Sequence, residues 1–425
     1  EVDAVGMTIA EKILAHASGS QQVSAGEIVW AKVDVAMMDD ILGPRVSIAS
    51  GLNELQAKVW DPDKVVIISD HYTPPASVSQ AEIVKFTRDW AKDHDVKHYY
   101  EFIGPCHQAM VEHGHVRPWR IIVGTDSHTC MGGALGAFAT GIGSTEMLGV
   151  LATGEIWFKV PETIRIEWKE KLPAGVMAKD IALASIGKIG HAGATYMSVE
   201  FTGEAIEDCE LDQRMAITNM AVEMGAKVGL MEPDHKVADY LAARGITYEF
   251  ESLKSDHDAK FYRSLTFSAH DLKPQVACPH SVDNVYSVDN LDGTPIQQAY
   301  LGSCTGGRYS DLVAAAQIVK GHRIANGVRF LVSPASQNIW KQAAQDGILS
   351  ILAEAGATIL APTCGLCVGV HSGLLASHET CISSTNRNFI GRMGSKESNI
   401  YLASPMTVAA SALTGKISSP IHFLD

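Results

Sequence analysis

Six short runs rich in β-branched residues alternate with stretches of helical spacing along this chain, and that alternation restricts the fold more than any other feature. The runs are KVVIIS (64–69), RIIVG (120–124), TIRIEW (163–168), YMSVEF (196–201), VRFLVS (328–333) and ATILAP (357–362). Between them lie helical patterns such as QAEIVKFTRDWAKDH (80–94), LDQRMAITNMAVEMG (211–225) and SDLVAAAQIVKG (310–321). Short apolar strands bounded by helices are what a mainly parallel sheet, covered on both faces, requires. The expected class is α/β. At 425 residues the chain exceeds what one core usually serves. Two polar stretches read as joints, KVPETI (159–164) and PQVACPHSVDNVYSVDNLDGTP (274–295). They divide the chain into three α/β/α units, 1–158, 159–285 and 286–425. The stretch MGGALGAFATGIGST (131–145) is shorter than a membrane span and reads as a tightly packed helix or loop.

Charge removes several function classes. With 34 Lys and Arg against 48 Asp and Glu, the net charge is −14. No broad basic surface for nucleic acid or an anionic membrane is expected, and an anionic ligand has to be met by local cations. The first residues, EVDAVGMTIAEKILAHASG, read as an amphipathic helix with charges inside it and not as a signal peptide. Eight cysteines are too sparse for a disulfide framework and fit a reducing compartment. A cytoplasmic location is the expectation.

In open α/β sheets, ligands collect where strands end and helices begin. IISDHYTPP ends a run at Asp70 and His71, IIVGTDSHT ends another at Asp126, Ser127 and His128, SVEFTG carries Glu200, and IGPCHQ adds His107 in a turn. Three histidines with carboxylates at element ends suggest a shared acid/base or metal site. The cysteines add to this. Cys304 in GSCT and the Cys364–x–x–Cys367 pair each follow an apolar run and meet glycine-rich sequence. Four readings are open: loop cysteines without a role, a redox pair that leaves Cys304 unexplained, a zinc completed by His371, and a [4Fe–4S] cluster. In the last, three thiolates hold three irons and the fourth stays open to a substrate oxygen.

GTDSHT (124–129), GGALGAFATGIGSTEM (132–147), GSCT (302–305), CGLC (364–367) and NRNFIGRMG (386–394) with YLASP (401–405), in this order, resemble the aconitase superfamily. Within it the chain is most similar to the large subunits of the two-subunit isopropylmalate isomerase and homoaconitase branch. The resemblance runs over essentially the whole chain. It implies three aconitase-like α/β/α domains around a central site, with Cys304, Cys364 and Cys367 holding a [4Fe–4S] cluster that has one labile iron. Carboxylate–imidazole pairs would be Asp70 with His71, Asp126 with His107, and Glu200 with His128. His71 would be the acid that protonates the departing hydroxide, since a neighbouring carboxylate fixes the tautomer of an imidazole and raises its pKa. Ser127, Arg387 and Arg392 would bind substrate carboxylates, the guanidinium fork matching a carboxylate better than an ammonium does.

The resemblance further implies a hydro-lyase acting on a small hydroxy-di- or tricarboxylate, first 3-isopropylmalate, with homoaconitase chemistry or hydration of dimethylmaleate, citraconate or maleate as alternatives. A cluster-free RNA-binding regulator is the alternative of another class. In single-chain members a fourth, swivelling domain brings a serine base and further arginines. This sequence ends at GKISSPIHFLD, so a separate small subunit carrying that domain is expected. Two departures stand out. Gly306 follows Cys304–Thr305 where many relatives have Asn, which suggests a roomier floor beside the cluster. Leu366 stands for the usual Pro, with Thr363 for the usual Gly.

Overall fold

A computed structural model describes residues 5–424, and its architecture is α/β. Each β-branched run forms a strand: Val65–Ser69, Ile121–Gly124, Thr163–Lys169, Ser198–Thr202, Arg329–Ser333 and, shortened to two residues, Thr358–Ile359. The helical patterns become Val78–Asp93, Tyr309–Val319 and Leu211–Asn219, the last followed by a 3₁₀ turn at Ala221–Met224. Ser77 starts the first of these by accepting the Gln80 N–H on its side chain. The N-terminal helix runs over Ile9–Ser18 behind a Thr8–Glu11 capping box; residues 1–4 of the expected helix lie outside the described residues. Among the described residues no helix is long and apolar enough to cross a membrane.

Three sheets carry the molecule. The first is fully parallel, in the order His98–Glu101, Val65–Ser69, Val35–Asp39, Ile121–Gly124, Phe138–Gly141. The second, also parallel, places Val228–Leu230, Ser198–Thr202, Thr163–Lys169 and Arg263–Ser268 side by side. The third has seven strands, with Gln298–Gly302 between Thr380–Ser383 and Arg329–Ser333 in its parallel part. A separate antiparallel ribbon pairs Ile28–Lys32 with Glu155–Lys159.

Successive residues of a strand face opposite sides of the sheet, and Val65–Ser69 shows what that does here. Val66 and Ile68 join an apolar network that continues through Met131, Ile166, Met215, Leu366 and Leu402 and so crosses all three sheets. Val65 and Ile67 belong to a second cluster on the outer face of the first sheet. One cluster is therefore shared by all three units, while the outer faces of the first and third sheets keep clusters of their own.

Two expectations change. The stretch 131–145 is a 3₁₀ helix, Ser127–Leu135, followed by the strand Phe138–Gly141 and the start of a helix at Ser144. Its glycines serve close approach: a Cβ on Gly133 would overlap the Gly229 carbonyl oxygen. Neither expected joint is a free linker. Residues 159–164 run directly from the strand Glu155–Lys159 into Thr163–Lys169, and 274–295 contributes Gln275–Ala277 and Val285–Ser287 to the antiparallel edge of the third sheet. The division at 285/286 falls inside a strand; grouped by sheet, the second unit ends before Gln275.

Candidate active site

Three neighbouring strands of the first sheet end together. Val35–Asp39 delivers Asp39 and Asp40, Val65–Ser69 is followed by Asp70 and His71, and Ile121–Gly124 by Asp126, Ser127 and His128. From the third sheet, Gln298–Gly302 leads to Cys304 and Thr380–Ser383 to Asn386 and Arg387. Both edges open into one cavity of about 240 Å³ whose wall includes Asp70, His71, His107, Asp126, Ser127 and His128 with Cys304, Cys364, Cys367, Arg387 and Arg392. Every candidate named from the sequence is there except Glu200 and His371.

His71 is 2 % exposed. Its Nδ1 lies 2.7 Å from Asp70 Oδ1 and 3.0 Å from Asp40 Oδ1, and its Nε2 is 3.6 Å from Asp126 Oδ2. Burial works against the charged ring, yet the charges of Asp70 and Cys364, with Asp126 close by and a hydrogen bond to Asp40, raise its pKa well above the usual value. Asp70, pushed up to about 6 by burial, accepts the Cys106 N–H at 2.6 Å on its other oxygen. Asp40 accepts the backbone N–H groups of His71 and Tyr72. Two carboxylates on one ring nitrogen fix the tautomer and leave Nε2 facing the cavity.

His107 Nε2 meets Asp126 Oδ1 at 2.8 Å, as expected. The third pair differs. Glu200 lies on a central strand paired to Arg165 and Leu230; its carboxylate accepts the Ser255 hydroxyl at 2.6 Å, and burial lifts its pKa to about 7. The partner of His128 is Glu223, 2.7 Å from Nε2, and the same oxygen accepts Arg387 Nε–H at 2.8 Å. The signal for it lay in TNMAVEMG, where Asn219 and Glu223 are four residues apart. The helix stops at Asn219 and a 3₁₀ turn follows, so both reach the site. A buried hydrogen bond to a charged group is worth about 1.5–3 kcal/mol. Glu223→Gln is expected to lower kcat/KM roughly ten- to a hundredfold, while Glu200→Gln leaves the kinetics at the parent level. Equal losses in the two variants would return Glu200 to the site.

The thiols sit in a sulfur-directed environment. Asn219 Nδ2 donates to Cys304 Sγ at 3.1 Å, its Oδ1 accepts from Asn386 Nδ2, and Cys367 Sγ lies 3.6 Å from Asn386 Oδ1. Burial pushes Cys304 up to about 12. Cys364 is held well above the ordinary thiol value by its hydrogen bond to Cys367 and by burial, and that hydrogen bond pulls Cys367 down to about 5. Two of the three thiols keep their protons unless a metal displaces them. Side-chain amides close to the sulfurs are the kind of outer support that orients metal-bound cysteine. This donor set fits an iron–sulfur cluster.

The zinc alternative loses its fourth ligand. His371 places Nε2 2.9 Å from the His71 carbonyl and Nδ1 2.6 Å from Ser372 Oγ, and a Cβ on Gly365 would press on its ring. It braces the cysteine loop against His71. The roomier floor at Gly306 also disappears: a side chain there would collide with Ser384, whose hydroxyl accepts the Gly302 N–H at 3.0 Å. Thr363 ties the same region together by donating to the Asp70 carbonyl at 2.9 Å, and Leu366 is fully buried in the shared core.

Fold and cleft together define an α/β protein with a cysteine, imidazole and carboxylate site of the metallo-hydratase kind. The model of the aconitase family (aconitate hydratase) matches residues 11–415. The chain is 49 % identical to "3-isopropylmalate dehydratase large subunit 1" of Methanopyrus kandleri, covering 99 % of this chain and 100 % of that one. It is 48 % identical to "Probable methanogen homoaconitase large subunit" of Methanothermobacter thermautotrophicus, covering 98 % of each. Among solved structures, the aconitase X of Thermococcus kodakaraensis superposes with a TM-score of 0.51 at 11 % identity over 89 % of this chain and 88 % of that one, a likeness of fold. This chain belongs to the aconitase family.

Proposed function

We propose that this chain is the large subunit of an iron–sulfur hydro-lyase that dehydrates a small hydroxy-dicarboxylate, with 3-isopropylmalate as the first substrate. The observation that carries the reading is the convergence, in one cavity, of three cysteines, three imidazoles each held by a carboxylate, and two arginines. Cys304, Cys364 and Cys367 would hold a [4Fe–4S] cluster with one labile iron, which when bound supplies a Lewis acid for the substrate hydroxyl. Arg387 and Arg392 bind the substrate carboxylates, and Ser127 donates to one of them. The hydrogen bonds from Arg387 Nε to Glu223 and from Arg392 Nε to the Cys367 carbonyl pre-set both guanidinium planes. His71 Nε2 hands its proton to the departing hydroxide while Asp70 and Asp40 stabilise the ring from Nδ1. Ile41, Leu42 and Val368 line the same cavity and favour an alkyl substituent over a second polar arm.

Homoaconitase chemistry is the second reading, supported by the homoaconitase relative's name and near-equal identity. Hydration of a maleate derivative keeps no argument from Gly306, whose space Ser384 fills. The eight free cysteines favour a cytoplasmic setting. The test is anaerobic reconstitution with iron and sulfide, followed by assay of substituted malates and maleates through the ultraviolet absorbance of the conjugated product. A chain that takes up iron and turns over none of them with a small subunit present would sink the reading.

The base is assigned to a separate small subunit carrying the swivelling domain. Support comes from relatives named as large subunits that match end to end. A site without its closing domain lacks the positioning and water exclusion that lower a barrier by several kcal/mol. The reconstituted chain alone is expected to turn over at least about a hundredfold more slowly than with the small subunit. Full activity from this polypeptide alone would overturn the assignment.

A further inference from the structure

Behind the cysteines lies a charge that the proposed chemistry does not use. Lys179, on the helix Ala178–Ile189 beside the second sheet, is 1 % exposed. Its Nζ spends all three protons on neutral acceptors: Thr305 Oγ1 at 3.2 Å, the Ser384 carbonyl at 2.7 Å and the Thr385 carbonyl at 2.8 Å. Among the described residues no carboxylate comes within ion-pair distance of it. A second buried cation stands nearby. Arg308, fully buried, donates through Nε to Gln108 Oε1 at 3.0 Å and places Nη2 against Met131 Sδ, and its Nη1 has no partner. The Asp311 carboxyl turns to the Arg308 backbone N–H and Gln213 instead of to either cationic head.

Burying an ammonium without a counter-ion carries a large desolvation cost. Burial accordingly pulls Lys179 down to about 7, and the groups that oppose this are Asp311, Cys367 and Cys304. Two of those three are cysteines of the proposed ligand set, and Cys304 is expected to become a thiolate only when a metal is present. The acceptors complete the picture. Thr305 follows Cys304, and Ser384–Thr385 lead into Asn386 and Arg387, so one ammonium spans the loop of a cluster cysteine and the loop of a substrate arginine.

We propose that Lys179 is a positioning residue that supplies the counter-charge for the cluster: its buried ammonium balances the metal-bound thiolates of Cys304 and Cys367 and locks the Cys304 loop to the Asn386–Arg387 loop. This inference rests on the iron–sulfur reading above. A buried cation near the sulfurs favours the more negative, reduced state of the cluster and slows release of its iron.

Lys179→Met and Lys179→Gln, the latter keeping a donor for the carbonyls, are compared with the parent after anaerobic reconstitution. Iron per chain, the rate of iron loss to a chelator, the reduction potential and the melting of the iron-free chain are measured. Both variants are expected to lose iron at least about tenfold faster and to show a lower potential, with cooperative melting of the iron-free chain retained. Lys179→Arg, which keeps the charge, should return the potential toward that of the parent. Variants that hold iron at the parent rate and potential would overturn the proposal. So would unfolding of both neutral variants without iron, because that outcome marks a plain structural strut. A parent chain that takes up no iron and sulfide would instead overturn the cluster reading itself.

Discussion

Serine at Cys304, Cys364 or Cys367 is expected to abolish turnover and to lower the iron content of the reconstituted chain, while serine at Cys209 or Cys278 leaves both at the parent level. All three of the first group line the cavity, whereas Cys209 and Cys278 lie outside it. Thiolate is the species that binds iron, and a serine hydroxyl loses its proton far less readily than a thiol. Each replacement also disturbs a buried contact. At Cys304 the Asn219 amide loses its sulfur acceptor, and at Cys364 or Cys367 the hydrogen bond between the two thiols is altered. Iron and sulfide analysis with the visible absorbance of the cluster measures the first effect and product formation the second. Equal iron in Cys304→Ser and the parent would remove Cys304 from the ligand set. Since two of these thiols stay protonated in the free chain, uptake of iron should release protons and weaken as pH falls.

His71→Asn should reduce kcat by roughly 10²- to 10⁴-fold, the range for a positioned general acid, with KM close to the parent value. Asn has similar reach and can still donate toward Asp70 or Asp40, so the pocket is expected to survive while the transferable proton is lost. The geometry sets His71 apart from the other two imidazoles. Its Nδ1 faces two carboxylates and its Nε2, in the cavity, has Asp126 no nearer than 3.6 Å, whereas His107 and His128 already spend Nε2 on hydrogen bonds to Asp126 and Glu223. A loss confined to kcat supports the acid role; a loss confined to KM would make His71 a binding group. Normal kcat would move the acid to His107.

What could be read from residues in order was what local physics determines. Periodicity separated strands from helices, because side chains alternate across a strand and repeat on a helix face. All the strand runs but 357–362, which shortens to Thr358–Ile359, lie close to their expected limits, and the motifs Asp70–His71 and Asp126–Ser127–His128 do face the cleft. Local reading failed where composition overrode pattern. The Gly- and Ala-rich stretch at 131–145 holds a strand that its small side chains disguise, and the polar stretch at 274–295, joint-like in composition, carries two short strands that close the edge of the third sheet.

The sequence by itself determined the α/β class and marked the three cysteines, the two arginines and the imidazoles His71, His107 and His128 as candidates, all of which line one cavity. Tertiary structure decided who meets whom. Asp40 reaches His71 across adjacent parallel strands, Glu223 takes the place expected for Glu200 because a helix stops at Asn219, Ser384 fills the space above Gly306, and Lys179 crosses from one sheet to brace the loops of another. The physical reason is the same in each case. A hydrogen bond depends on the separation of two atoms to a few tenths of an ångström, and for groups from 31 to 205 residues apart in the chain that separation is set by packing of the shared core and not by any pattern along the sequence.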